Sequence, residues 1–371
     1  MKEQKILHAT NNYRQLDEFL VKKGIKKVFL VCDSSIGFLN INDYFLGLKS
    51  RMGVEVVRFD KFTPNPLYEQ VYNGVEAFIS SHSDMIIAVG GGSAMDVAKC
   101  VKLYANMDKK INYLEQEIVP NNFELLAIPT TAGTGSESTR YAVIYYNGEK
   151  QSVSDYSCIP QTVLMDPSVL KTLPEYQKKA TMLDAFCHAI ESFWSVNSTD
   201  ESKKYSKEAI QKILEYIDGY FANDEKANEE MLYAANIAGK AINITQTTAG
   251  HAMCYKLTSL YGIAHGHAAA LCIKALWPYM LDNTDKCIDT RGKGYLNDMF
   301  LEMAEAFDCI DCYEAYYKFK SILDKLNLSV PVLKEDIAIL SNSVNPVRLK
   351  NNPIGLDKEI IMLLYKKILE K

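Results

Sequence analysis

The chain has 371 residues, of which 48% are hydrophobic and 23% charged, and its formal net charge is -5. This length is sufficient for two domains with substantial cores, and the composition is that of an ordinary soluble protein. The basic residues are scattered, so no broad positive field is available to bind a nucleic-acid backbone. No apolar run approaches the roughly 20 residues that span a bilayer, and the N-terminal segment lacks a signal-peptide pattern. We therefore expect a cytoplasmic protein that binds neither nucleic acid nor membranes.

The first half of the chain alternates short apolar runs with stretches of helical length. Four runs are typical of buried strands: VFLVCD (28–33), VEVVRF (54–59), MIIAVG (85–90) and ELLAIP (124–129). Helix-length stretches, such as 66–82 and 93–104, lie between them. Strands and helices in alternation favour a parallel sheet covered on both faces. The pattern predicts an α/β domain of the nucleotide-binding type at residues 1–173.

Strand patterns disappear after about Pro174, and the rest of the chain is typical of amphipathic helices. The predicted helices include residues 202–220, 229–245, 296–307 and 312–326, and a closing helix that begins near Asp357. The sequence therefore predicts an all-helical second domain at residues 174–371.

Two glycine-containing loops follow predicted strands. In MIIAVGGGSAMDVAK (85–99), an apolar strand leads through Gly91, Gly92 and Ser93 directly into a helix. Glycines at this position let backbone amides approach a pyrophosphate, and the helix N-terminus favours negative charge. The pattern is neither GxGxxG nor a Walker A loop, so a tight turn without a ligand is the alternative.

The second loop, IPTTAGTGSES (128–138), offers the hydroxyls of Thr130, Thr131 and Thr134 beside glycines. Ligands bind at the carboxyl edge of open parallel sheets, where both loops are expected, so a bound nucleotide is predicted there. Asp33 follows an earlier strand at the same edge, and its carboxylate would accept hydrogen bonds from ribose hydroxyls, which favours NAD over NADP. Capping of the next helix is the alternative role of Asp33.

Candidate metal ligands occur in two segments of the second half. In TMLDAFCHAIE (181–191), Asp184 and His188 are four residues apart and share one face of a helix. Alone, such a pair more often forms a surface hydrogen bond. The segment 247–272 contains three of the six histidines, with His251 on one helix, His265 near the start of the next, and Gly262 and Gly266 breaking the path between them.

One carboxylate and three imidazoles suit Fe(II), Zn(II) or Co(II), although structural histidines are the alternative. Glu191 lies one turn beyond His188 on the same helix face, so it is the expected hydrogen-bond partner of a ligand histidine.

The motifs GGGSAMDVAK, PTTAGTGSE and DAFCHAIE, with His251 and His265 spaced by 14 residues, resemble the iron-containing (group III) alcohol dehydrogenases over nearly the whole chain. The resemblance implies a Rossmann-like dinucleotide-binding domain followed by an all-α domain, a divalent metal (Fe2+, with Zn2+ as the alternative) and NAD(H), with NADP(H) also possible. It also implies a homodimer or a larger homo-oligomer. The implied metal ligands are Asp184, His188, His251 and His265. The implied cofactor residues are Gly91, Gly92, Ser93, Thr130, Thr131 and Thr134, with Asp96 supporting the loop and Lys150 contacting the cofactor ribose.

The sequence departs from the family pattern at two positions that bear on the substrate. Tyr255 stands in HAMCYK where many members have a second histidine, so either Tyr255, the nearby His267 or water is expected to relay the proton. Arg140 follows the second loop where many relatives are neutral, which suggests an anionic substrate, with Lys256 assisting. A purely structural pairing of Arg140 with Glu137 or another acid is the alternative.

Longer strings, such as STRYAVIYYNGEKQSV, resemble a branch that acts on phosphonoacetaldehyde and forms 2-hydroxyethylphosphonate. A dehydrogenase for lactaldehyde, butyraldehyde or succinic semialdehyde is the alternative. A lyase similar to dehydroquinate synthase and a catalytically silent nucleotide-binding protein are the remaining hypotheses.

Overall fold

The structure is a computed structural model that describes residues 4–10, 12–329 and 337–369. The chain forms two compact units: one comprises Met1–Leu173 with Ala222–Leu232, and the other comprises Pro174–Phe221 with Tyr233–Lys371. Among the described helices, none has the length and apolar character needed to cross a membrane.

The first unit is built on a six-stranded parallel sheet and a separate two-stranded antiparallel hairpin. Its strands are β1 (Lys5–His8), β2 (Lys27–Cys32), β3 (Glu55–Phe59), β4 (Met85–Gly90), β5 (Glu124–Pro129), β6 (Tyr141–Tyr146), β7 (Glu149–Ser154) and β8 (Thr162–Met165). Its helices are α1 (Arg14–Lys23), α2 (Asn40–Met52), α3 (Tyr68–Ser81) and α4 (Gly92–Tyr104). The four predicted strands and the α/β class are confirmed, and all six residues of β4 are buried, as a central parallel strand requires.

The strand order β1-β8-β5-β4-β2-β3 determines where this sheet offers a crevice. From β2 the chain moves outward to β3, whereas from β4 it moves in the opposite direction to β5. The connections therefore diverge between β2 and β4, which is the topological switch point of an open α/β sheet. Asp33 follows β2 and Gly91 follows β4, so both lie at this point of the carboxyl edge.

The strands β1 and β8 and the hairpin of β6 and β7 were not predicted from the sequence. The strands β1 and β8 have only four residues each, and the edge strand β1, KILH, begins with a charged residue. The hairpin turns at Asn147 and Gly148, whose φ angles of 51° and 78° give the left-handed geometry typical of tight hairpins.

In the described part of the second unit, the regular elements are helices, beside one isolated bridge between Cys287 and Ile354. Its helices are α5 (Glu175–Trp194), α6 (Asp200–Phe221), α7 (Glu225–Thr245), α8 (Ala249–Tyr261), α9 (His265–Asp282), α10 (Gly292–Ala306), α11 (Cys312–Leu326), α12 (Ile337–Asn342), α13 (Pro346–Leu349) and α14 (Lys358–Leu369). The first part of α7, up to Leu232, belongs to the first unit, and the rest, from Tyr233, belongs to the second. The predicted helical character is confirmed. Every residue from Met182 to Trp194 is buried, because α5 packs against α6, α9 and α10.

Candidate functional site

Helix α5 presents Asp184, His188 and Glu191 on one face, because residues four and seven apart lie above one another on a helix. Their side chains are enclosed by protein, with residue exposures of 3%, 6% and 0%. Buried charged and polar groups of this kind require partners to offset the loss of water. The neighbouring helices α8 and α9 supply those partners.

Glu191 holds His251, at the start of α8, in a fixed orientation. Its Oε1 accepts hydrogen bonds from the Thr248 hydroxyl at 2.6 Å and from the backbone N–H groups of Thr248 and His251 at 3.3 and 3.2 Å. Its Oε2 is hydrogen-bonded to His251 Nδ1. The opposite ring nitrogen, Nε2, therefore points to Asp184 and lies 3.4 Å from Oδ1. The predicted hydrogen bond between Glu191 and a candidate ligand histidine is confirmed.

Three of the four candidate metal ligands converge. One ligand atom from each of Asp184, His188 and His251 lies within 4.8 Å of the other two. The rings of His188 and His251 stack with centroids 4.5 Å apart, and His188 Nε2 is 3.9 Å from Asp184 Oδ1. One carboxylate oxygen and two imidazoles in this arrangement form the donor set that a divalent transition metal prefers.

His265, the first residue of α9, is adjacent to this group. Its ring centroid is 5.3 Å from that of His251, and its Nδ1 is 3.5 Å from Cys254 Sγ. Gly262 ends α8 with a φ of 67°, as the sequence suggested, but the prediction that Gly266 breaks the path is wrong. Gly266 lies inside α9, where a Cβ atom would be 2.1 Å from the Ala180 carbonyl oxygen. Its missing side chain lets α9 cross α5 beside Asp184.

The charges of this cluster are strongly coupled. Burial alone raises the pKa of Asp184, but the imidazoles of His188, His251 and His265 hold that pKa well below its usual range. Burial lowers the pKa of His251, but Glu191 and Asp184 outweigh it and raise the value to about 9. Two buried carboxylates thus need a positive charge between them. The donor set fits a divalent cation, which would take the place of the proton on His251.

Gly250 is a contributor to this site that the sequence analysis missed. A Cβ atom there would lie 2.8 Å from Glu191 Oε1 and 2.7 Å from the Ile273 side chain. The glycine therefore makes room for the carboxylate that orients His251. A glycine immediately beside a candidate ligand histidine was the available signal.

Tyr255 and His267 have different surroundings. The Tyr255 ring lies 5.2 Å from the His265 ring, and its hydroxyl accepts a hydrogen bond of 2.7 Å from Arg348 Nη1. His267 Nδ1 is 3.2 Å from the hydroxyl of Tyr176. Burial lowers the pKa of His267 to about 4, so its ring is neutral at pH 7. Arg348 was not among the predicted site residues.

In the first unit, the two predicted loops lie against each other at the carboxyl edge of β4 and β5. The Thr130 N–H donates to the Gly90 carbonyl at 3.1 Å. A Cβ atom on Gly91 would lie 3.6 Å from the Thr131 side chain, and one on Gly92 would lie 3.4 Å from Thr134. These are ordinary contact distances, so protein packing does not require glycine at 91 or 92. Close approach of a ligand to the backbone would explain both residues.

Asp33 performs the capping role that the sequence left open. Its Oδ1 accepts from the Ser35 N–H at 2.7 Å at the start of a short 3-10 helix. Its Oδ2 faces the glycine loop, 3.6 Å from the position of a Cβ atom on Gly90. Capping of the 3-10 helix therefore uses Asp33 Oδ1, while Asp33 Oδ2 faces the topological switch point between β2 and β4.

Asp96 and a lysine that the sequence analysis missed connect α4 to the second loop. Buried Lys99 donates to Ser136 Oγ at 3.1 Å, Thr139 Oγ1 at 3.2 Å and the Tyr141 carbonyl at 2.7 Å. The Ser136 hydroxyl in turn donates to Asp96 Oδ1 at 3.4 Å. Burial raises the pKa of Asp96 to about 7, although Lys99, a backbone N–H and Lys150 on β7 oppose the rise.

The two remaining predicted residues of this unit lie close to the loops. Ser93 Oγ accepts from the Asn65 N–H at 3.3 Å. Arg140 directly precedes β6, and its Nη1 donates to the Tyr156 hydroxyl at 2.6 Å. The Arg140 guanidinium also lies over the rings of Tyr141 and Tyr156, at 4.8 and 4.7 Å. Such stacking fixes the plane of the guanidinium.

Comparisons with known proteins agree with this architecture. The family model described as iron-containing alcohol dehydrogenase matches residues 3–167, and that of the Fe-containing alcohol dehydrogenase family, C-terminal, matches residues 178–369. Alcohol dehydrogenase 4 of Saccharomyces cerevisiae (strain YJM789) is 29% identical over 95% of this chain and 94% of its own length. Choline dehydrogenase of Bacillus subtilis (strain 168) is 30% identical over 81% of this chain and 74% of its own.

Among solved structures, the sulfoacetaldehyde reductase of Bifidobacterium kashiwanohense in complex with NAD+ superposes with a TM-score of 0.87. It covers 99% of this chain and 97% of its own, at 23% identity, and so shares the fold. The two family models together extend over almost the entire sequence. The chain therefore belongs to the iron-containing alcohol dehydrogenase family, and it is an oxidoreductase.

Proposed function

We propose that this enzyme uses NAD(H) and a divalent metal to reduce a small anionic aldehyde, with phosphonoacetaldehyde, which gives 2-hydroxyethylphosphonate, as the specific candidate. The convergence of Asp184, His188 and His251 within one buried cluster is the observation that carries the chemistry. Arg140, held by two tyrosine rings beside the second loop, supports a negatively charged substrate. The proposed division of labour assigns dinucleotide binding to residues 1–173 and metal binding to residues 174–371.

We assign the metal to Asp184, His188, His251 and His265. A divalent cation bound there would supply Lewis-acid polarisation of a carbonyl oxygen, and a reduced nicotinamide would supply the hydride. Glu191 keeps His251 Nε2 directed at Asp184, which prepares the donor atoms before a cation binds. Burial of this cluster excludes water and so strengthens every charge interaction within it.

We assign the cofactor to the paired loops of the first unit. The amides at Gly91, Gly92 and Ser93 stand at the N-terminus of α4, where an anionic pyrophosphate is stabilised. Thr130, Thr131 and Thr134 line the facing loop, and the second oxygen of Asp33 is placed to accept from ribose hydroxyls and so to favour NAD. Asp96 supports the loop through Ser136, and Lys150 contacts the ribose in this proposal.

Two side chains are proposed to hold the proton that the product oxygen receives. Burial raises the pKa of Tyr255 although Arg348 opposes this effect, so the Tyr255 hydroxyl keeps its proton at neutral pH. His267 is neutral and hydrogen-bonded to Tyr176. Either group then relays a proton directly or through water.

The decisive measurement is NADH oxidation with phosphonoacetaldehyde and succinic semialdehyde beside lactaldehyde and butyraldehyde. We expect kcat/KM for the anionic aldehydes to exceed that for the neutral ones by about tenfold or more, since one ionic hydrogen-bonded contact is worth roughly 1.5–3 kcal/mol. Equal rates would refute the anionic substrate and favour a short-chain alcohol dehydrogenase. Turnover without net NADH consumption would indicate a lyase instead, and protein without metal or turnover would indicate a silent nucleotide-binding protein.

We also propose that the enzyme forms a homodimer or a larger homo-oligomer. Light scattering on the purified protein tests this proposal, and a monomeric mass at micromolar concentration contradicts it.

A further inference from the structure

We infer that Arg348 recognises the anionic group of the substrate and that Tyr255 positions its guanidinium. The inference rests on the proposed function, because it names the residue that reads the substrate's charge. It places this recognition in the same unit as the candidate metal ligands, on a residue that no sequence motif indicated.

A continuous line of contacts connects Arg348 to the candidate metal ligands. The His265 ring lies 5.2 Å from the Tyr255 ring, and the Arg348 guanidinium lies 5.0 Å above that same ring. Arg348 Nη1 also donates to the Tyr255 hydroxyl at 2.7 Å. The guanidinium is therefore within about 10 Å of the His265 ring. A short anionic aldehyde, with four bonds of about 1.5 Å between its carbonyl oxygen and an acidic oxygen, covers this distance together with a contact of about 2–3 Å at each end.

Arg348 differs from most of the arginines in its electrostatic partners. Four of the six arginines, namely Arg14, Arg51, Arg58 and Arg291, form a salt bridge to a carboxylate. Within the described ranges, the Arg348 side chain has no carboxylate partner, and its only hydrogen bond is the one to the Tyr255 hydroxyl. A guanidinium has five N–H donors, so four of them remain for a ligand.

This arrangement is better explained by an anion than by a structural role. Arg348 is partly buried in α13, a four-residue helix. A partly buried cation that has no carboxylate partner among the described residues loses solvation that a single tyrosine hydroxyl does not restore. Phosphonate, sulfonate and carboxylate oxygens each match the paired donors of a guanidinium. Stacking on Tyr255 fixes the plane of those donors.

The test compares variants on anionic and neutral aldehydes. For Arg348→Gln, we expect kcat/KM for the preferred anionic aldehyde to fall about 30-fold or more, through KM, relative to any change with butyraldehyde. Arg348→Lys should recover part of the loss, because lysine keeps the positive charge but lacks the paired, planar N–H donors of the guanidinium. Tyr255→Phe removes the positioning hydroxyl, which is also a proposed proton relay, so a loss shared with butyraldehyde belongs to the relay. Beyond that shared loss, we expect a further fall of about three- to tenfold with the anionic aldehyde alone.

Two further arginine variants make the outcomes distinguishable. Arg14→Gln removes a charge from an exposed pair with Glu18 and should leave both substrates unaffected. Arg140→Gln tests the competing residue: loss of the anionic preference there, with Arg348→Gln unchanged, overturns this inference and leaves the proposed function intact. Without any anionic preference in the wild type, both the proposed function and this inference are refuted.

Phosphonoacetaldehyde, sulfoacetaldehyde and succinic semialdehyde are assayed separately. Their kcat/KM values identify whether the enzyme prefers a phosphonate, a sulfonate or a carboxylate. Ethylphosphonate provides a probe that does not require the substrate to be known. We expect it to inhibit butyraldehyde reduction in the wild type, with an inhibition constant at least about tenfold weaker in Arg348→Gln. Equal inhibition of both proteins contradicts the assignment.

Discussion

Replacing Glu191 by glutamine removes one buried charge and keeps the shape of the side chain. In the structure this carboxylate accepts from the Thr248 hydroxyl, from two backbone N–H groups and from the His251 ring. A glutamine retains one acceptor oxygen but presents an NH2 group in place of the other. We expect the His251 ring to lose its fixed orientation, because the new amide cannot balance an imidazolium.

The size of the effect follows from the pKa of His251, which is raised from 6.5 to about 9, chiefly by Glu191 against the cost of burial. A raised histidine pKa stabilises the folded metal-free protein fully below pH 6.5, and this contribution is lost as the pH rises to about 9. At 1.36 kcal/mol for each pKa unit, the stabilisation is about 3 kcal/mol. In Glu191→Gln most of this pH dependence should disappear.

Urea unfolding of chelator-treated protein at pH 6, 7, 8 and 9 measures the change in stability, and competition with a coloured chelator measures metal affinity. We expect metal affinity to fall about 10- to 100-fold, as is usual when the partner of a ligand histidine is removed. Glu18→Gln, in an exposed ion pair, is the matched control and should change neither quantity. A variant that binds metal as the wild type does, with the same slope of stability against pH, would refute the role assigned to Glu191.

Three further changes test separate parts of the site. His265→Ala should abolish metal binding and turnover while NADH still binds, and full activity in this variant removes His265 from the ligand set. Gly266→Ala should destabilise the protein by about 1–3 kcal/mol in urea unfolding, because the added Cβ would lie 2.1 Å from a backbone oxygen. Gly294→Ala is the control: its added Cβ would have no atom within 4 Å, so this variant should be as stable as the wild type or more stable. Lys99→Met should raise KM for NADH several-fold and lower the urea midpoint of unfolding, because three hydrogen-bond acceptors in and after the second loop lose their donor. An unchanged KM would show that the loop keeps its position without Lys99.

The central part of the fold was predictable because its strands are buried on both faces. Such strands form unbroken apolar runs, and MIIAVG and ELLAIP became β4 and β5 with the predicted bounds. The edge strand β1 has only four residues, with a charged residue at one end, and that pattern does not differ from a loop. The hairpin was missed because its polar strand, EKQSVS, has little apolar alternation.

The candidate metal site was predictable in part because histidines are rare in this chain. Three of six fall between His251 and His267, so clustering along the sequence indicated a site. Arg348 carries no such signal, since it meets Tyr255 only across 93 positions of sequence. Lys99 was hidden for a related reason: a lysine inside an amphipathic helix is normally solvent-facing, and only tertiary packing turned it inward.

Two candidate ligand histidines each stand next to a glycine: Gly250 precedes His251, and Gly266 follows His265. At both glycines, atoms of a neighbouring helix occupy the space that a side chain would need. A single added methyl group at either position would therefore displace the neighbouring helix or side chain and so disturb the candidate ligands, although neither glycine binds metal itself. Relatives that retain all four candidate ligands but carry alanine at either glycine are expected to bind the metal more weakly. A survey of sequences for active members should consequently examine these two dipeptides and not the ligands alone.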